Sequence, residues 1–98
     1  MAYTTINDPS AHFQVTNYTG NGSTQTITFN GNSNLQPDWV WLKDRDNANS
    51  HRLVNSIRGS TKYLISSNHN LEATEAAGMT AFNSDGFSLG SNSDFNGN

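Results

Sequence analysis

The stretch Pro37-Asp38-Trp39-Val40-Trp41-Leu42-Lys43 is the densest apolar signal in the chain and carries both of its tryptophans. Large aromatic and β-branched side chains fit a pleated surface, so the stretch is predicted to be a strand. Pro37 ends any earlier element and holds Gln36 in an extended conformation. Period-two alternation places Trp39, Trp41 and Lys43 on one face and Val40 and Leu42 on the other. Both faces are apolar, which predicts a central strand with which the others pair.

The remaining chain supplies short strand patterns separated by polar turns. Phe13 and Val15 alternate within residues 12–18, and Ile27 and Phe29 alternate within residues 24–29. Gly20, Asn21, Gly22 and Ser23 form a turn cluster between them. Residues 51–58 and 63–66 resume the strand pattern after an aperiodic loop at 44–50. Residues 71–77 hold Glu72, Ala73, Glu75, Ala76 and Ala77, the only local run of helix formers, and predict one turn of helix at most. Asn83-Ser84-Asp85-Gly86 between Phe82 and Phe87 predicts a hairpin. Residues 91–98 carry one apolar side chain, Phe95, and no strand. Residues 1–10 read as a loosely held polar leader and residues 11–98 as a single domain. The class is all-β, an antiparallel β-sandwich or jelly roll.

Composition narrows the function classes. Asn, Ser and Thr fill 37 of the 98 positions, while 33% of residues are hydrophobic and 13% are charged. A net charge of −3 and ten aromatics argue for a folded domain with polar turns rather than disorder. The absence of a basic patch argues against a nucleic-acid partner. With no cysteine, neither a disulfide nor a thiolate metal site can staple the fold. No apolar run is long enough for a membrane helix, and the first residues lack a signal peptide's basic and hydrophobic regions.

Few residues offer chemistry. Trp39 and Trp41 are either core side chains under a second layer, the expected reading, or a stacking platform for sugar rings. Asp44 and Asp46, with Asn47 and Asn49, suggest a calcium loop, but the later acid and glycine of an EF-hand are missing, which favours solvated loop charge. Arg58 is expected to pair with Asp38 or Asp85; a ligand-binding arginine is the alternative. His12, His51 and His69 have no metal-ligand spacing, no serine sits in a nucleophile elbow, and Glu72 and Glu75 read as a solvated turn. No catalytic residue, metal site or cofactor is predicted.

Four ordered motifs carry a resemblance. Phe13 with Tyr18-Thr19-Gly20-Asn21-Gly22, then Gln36-Pro37-Asp38-Trp39-Val40-Trp41-Leu42-Lys43, resembles a module of phage tail-fibre and other virion proteins, notably of phages infecting marine bacteria. His51-Arg52-Leu53-Val54-Asn55-Ser56-Ile57-Arg58-Gly59-Ser60-Thr61-Lys62-Tyr63-Leu64 and Phe82-Asn83-Ser84-Asp85-Gly86-Phe87-Ser88-Leu89-Gly90 complete the match. The resemblance implies a concanavalin A-like or SPRY-like sandwich. It also implies a virion location and a non-enzymatic structural or adhesion role, with a polysaccharide-degrading domain on the same fold as the weaker alternative. Expected partners are other virion proteins or identical subunits, with host surface glycans as ligands. Such modules continue past an Asn-Gly turn into a further aromatic strand. Here Asn96-Gly97-Asn98 stands where that strand would begin, so the sheet closes differently, another chain supplies the strand, or the sequence is a fragment.

Overall fold

The computed structural model describes residues 5–98. In chain order its strands are β1 (Gln25–Thr28), β2 (Trp39–Leu42), β3 (Arg52–Asn55), β4 (Lys62–Ile65), β5 (Ala73–Thr74), β6 (Met79–Asn83) and β7 (Gly86–Leu89), followed by the helical turn α1 (Ser93–Asn96). All pairings are antiparallel, and they make a three-stranded sheet β1-β7-β6 and a four-stranded sheet β2-β3-β4-β5. Both sheets turn apolar side chains into one cluster. Ile27, Met79, Phe87 and Leu89 come from the first sheet, Val40, Leu42 and Val54 from the second, Phe29 from the segment after β1 and Phe95 from α1. The all-β class and the sandwich arrangement are therefore as the sequence predicts.

The hairpin β6–β7 also has its predicted place, with Ser84 and Asp85 as its turn and Asn83 opposite Gly86. Gly86 sits at φ 147°, and a Cβ there would lie 1.9 Å from the Ile27 carbonyl oxygen. Only glycine lets β1 approach β7 this closely. Asp85 ties the hairpin to the segment before β2, accepting from Leu35 N–H at 3.0 Å through its carboxylate and from Phe29 N–H at 2.9 Å through its carbonyl.

Five expectations change. First, β2 is an edge strand of its sheet, not a central one. Second, residues 12–18 join no ladder, and Phe13 and Val15 are 67% and 81% exposed. Third, residues 71–77 contain β5 instead of a helical turn: the open edge of β4 offers ladder bonds that a seven-residue segment cannot match by nucleating a helix. Fourth, the strandless tail folds into α1, capped by Asn92, whose side chain accepts from Asp94 N–H at 2.9 Å. Fifth, residues 1–4 of the expected loose leader lie outside the described residues, but its end is pinned. Asp8 accepts from Ser10 and Ser33, and these hydroxyl donors hold its carboxyl below the usual range.

α1 locks the two ends of the domain together. Phe95 packs edge-on against Tyr63 with ring centroids 5.8 Å apart, and its carbonyl accepts from the Tyr18 hydroxyl at 2.6 Å. Asn96, 1% exposed, accepts from Asn21 N–H and from Gln25, and donates to the Gly90 carbonyl at 2.9 Å. One buried amide thus satisfies the turn before β1, β1 itself and the end of β7.

Candidate functional site

The register of β2 on β3 decides which face of the tryptophan strand is covered. Val40 lies opposite Val54 and Leu42 opposite Arg52, and these pairs point into the core. Trp39 and Trp41, opposite Asn55 and Leu53, point away from it and are 51% and 56% exposed. The expected burial of the two rings is overturned. Among the described residues no second layer covers the outer face of β2, because the core forms on the side of Val40 and Leu42.

The rings form a short aromatic row. Trp39 and Trp41 have centroids 6.0 Å apart at an interplanar angle of 56°, and Trp41 lies 5.5 Å from the ring of His51. The Trp41 Nε1–H donates to His51 Nδ1 at 2.7 Å, which orients the indole and requires that nitrogen to be unprotonated. Across the sheet the row continues through Leu53 and Leu64, which face one another in the β3–β4 register.

Beside this row runs a groove of about 640 Å³ between β2 and residues 12–18. Phe29, Leu35 and Phe87 form its floor, and Lys43 and Arg45 stand at one end. A smaller cavity of about 270 Å³ opens at that end, lined by residues 16–20, residues 43–46, Gly97 and Asn98.

The other singled-out residues take separate places. Asp44 accepts from the backbone N–H groups of Asp46 and Asn47 at 2.9 and 3.1 Å, and from the side-chain amides of Asn47 and Asn49 at 2.9 Å each. These donors, led by the Asn47 amide, bring its carboxyl down to about 2. Its oxygens are spent on shaping the loop. The Asp46 carboxylate is exposed and takes no part in that network. Among the described residues no group of three or more His, Asp or Glu side chains is placed to hold a metal ion.

Arg58 pairs with Glu72 at 3.2 Å, not with Asp38 or Asp85, and lines neither cavity. Asp38 instead accepts from the Ser56 hydroxyl at 3.0 Å. The buried cation that the sequence reading did not single out is Arg52. It pairs with Asp94 at 2.6 Å and lies over the rings of Tyr63 and Phe95, 5.1 and 5.9 Å from their centroids. Its position opposite Leu42, on the apolar face of β3, was the signal available.

A family model described as Domain of unknown function (DUF7483) matches residues 8–98. The chain belongs to this family. No curated protein and no solved structure matches it. The match begins at Asp8, the residue that fastens the first described turn to Ser33, and it takes in all seven strands and α1. The DUF7483 domain therefore comprises the aromatic row, the groove and both sheets.

Proposed function

We propose that this domain is a non-enzymatic binding module of a phage virion, built into a tail fibre or surface decoration, that holds host surface glycans on the row Trp39–Trp41–His51. The observation that carries the reading is the half-exposure of two adjacent tryptophans on the outer face of β2. The C–H face of a pyranose is apolar and packs against an aromatic ring, while its hydroxyls take polar partners at the rim. Lys43 and Asn55 flank the rings on the same face and supply such partners. The virion assignment rests on the four-motif resemblance.

Isothermal titration against capsular and cell-wall oligosaccharides tests the reading. Binding that weakens by roughly tenfold or more in both Trp39→Ala and Trp41→Ala, as for an aromatic anchor, is the expected result. A binding isotherm indifferent to both substitutions removes the platform. The same oligosaccharides should release no reducing ends on incubation with the protein; turnover would overturn the non-enzymatic reading.

A second reading has its own observation. The row Trp41-Leu53-Leu64 is apolar across three strands, as a surface that packs on another virion subunit would be. Adhesion to the aromatic row and assembly through Leu53 and Leu64 are separated by the same titration, because only the first responds to soluble sugar.

A further inference from the structure

The groove beside β2 has two backbone walls, and both are unpaired. On one side, the Ser56 N–H donates to the Asp38 carbonyl at 2.8 Å, which makes Asp38 and Ser56 a bonded pair. Bonded and non-bonded pairs alternate along an antiparallel ladder, so Val40–Val54 and Leu42–Arg52 are bonded as well. The N–H and C=O groups of Trp39, Trp41 and Lys43 therefore point away from β3, into the groove. Among the described residues they have no backbone partner. On the other side, residues 14–18 likewise make no backbone–backbone hydrogen bond among the described residues.

The two walls run in the same direction, since residues 16–20 meet residues 43–46 at one end. A strand running the opposite way would be antiparallel to both at once. Its inward side chains would face Phe29, Leu35 and Phe87, which line the groove. Residues 12–18 line the far side, so a strand entering the groove has backbone on both flanks.

Charge marks the end at which the strand starts. Among the described residues Arg45 is exposed with no ion pair or hydrogen-bond partner, and the Lys43 ammonium donates to the carbonyls of Asp44 and Asn47. Both cations stand where an antiparallel strand would have its N-terminal residue.

We propose that this groove is a strand-acceptor slot: it receives one extended segment of a partner polypeptide, apolar at alternate positions and acidic at its N-terminal end. The segment adds antiparallel to the β2 edge and seals the core. The inference does not rest on the virion or glycan readings, and the outer aromatic row remains open beside the added strand.

The test uses the 98-residue protein with the probe peptide acetyl-Asp-Val-Thr-Val-Thr-Val-Thr-amide, and a control whose central valine is replaced by proline. Hydrogen exchange is followed amide by amide. Saturating probe is expected to slow exchange at Trp39, Trp41 and Lys43 and within residues 14–18 by roughly tenfold or more, with no effect from the proline control. Arg45→Glu should weaken the probe, and added salt should erase the difference between Arg45→Glu and the parent. Unchanged exchange at Trp39 and Trp41 under saturating probe overturns the proposal. So does a free protein that is already a dimer with those amides protected, because a second copy would then fill the slot.

Discussion

At the scale of single residues, Tyr18 and Asp44 have their ionisation set by the fold in opposite directions. Tyr18 is packed against Phe87 and donates to the Phe95 carbonyl; burial, aided by the Asp44 carboxylate, pushes its phenol up to about 12. A raised folded value means that Tyr18 contributes its full stabilisation below pH 10, the ordinary tyrosine value, and loses it as pH rises toward 12. Ultraviolet titration should show a late phenol step that is lost in Tyr18→Phe. Asp44 has the opposite sign. Its depressed carboxyl supports the 44–49 loop fully above the ordinary aspartate value and loses that support as pH falls toward 2. The amide resonances of Asp46 and Asn47 should therefore hold their positions down to about pH 4 and move only below it. Movement centred at the ordinary aspartate value of 3.8 would mean that the Asp44 bonds do not form in solution.

At the scale of elements, β2 shows what alternation can and cannot say. Trp39-Val40-Trp41-Leu42 did form a strand, and the two faces divide as period two requires. Which face would be covered was not in the pattern, because the more apolar pair of side chains is the exposed one. Side-chain volume argued for burying the tryptophans; the partner strands, with Val54 and Arg52 inward, buried Val40 and Leu42. Trp41→Ala should therefore cost about 1 kcal/mol or less, as for a surface position, in equilibrium denaturation. A cost near the 3–5 kcal/mol typical of core aromatics would mean that the ring is covered in solution. Residues 12–18 teach the same lesson in reverse. Phe13 and Val15 alternate as a strand should, but a strand exists only as half of a pair, and the partner groups face an unfilled groove. The hairpin at Ser84-Asp85-Gly86 was legible because its signal is local turn chemistry. Asn96 was not, since its partners Asn21, Gln25 and Gly90 meet only in the folded chain.

At the scale of the whole molecule, stability depends on a residue that the sequence offered only as a leftover. Nine apolar side chains make the buried cluster, a small core for 98 residues, and the net stability of such a domain is only about 5–15 kcal/mol. Phe95 connects the two sheets. It meets Tyr63 of the four-stranded sheet, and its carbonyl holds Tyr18, which packs on Phe87 of the three-stranded one. The Gly78 backbone approaches its ring so closely that a Cβ there would lie 2.8 Å from it. With Tyr63, the ring also covers the Arg52 guanidinium, whose charge is otherwise met by Asp94. Phe95→Ala removes the ring from all of these contacts at once, leaving a cavity between the sheets and a buried cation open to water. The expected cost is about 3–5 kcal/mol, a large share of the total. Urea denaturation followed by far-ultraviolet circular dichroism should show the midpoint falling steeply, with near-ultraviolet signals lost first as the sheets separate. Asp94→Asn separates the two contributions, since it weakens the ion pair and leaves the ring in place. If Asp94→Asn proves as damaging as Phe95→Ala, then the Arg52 charge, and not the aromatic packing of α1, holds the sandwich closed.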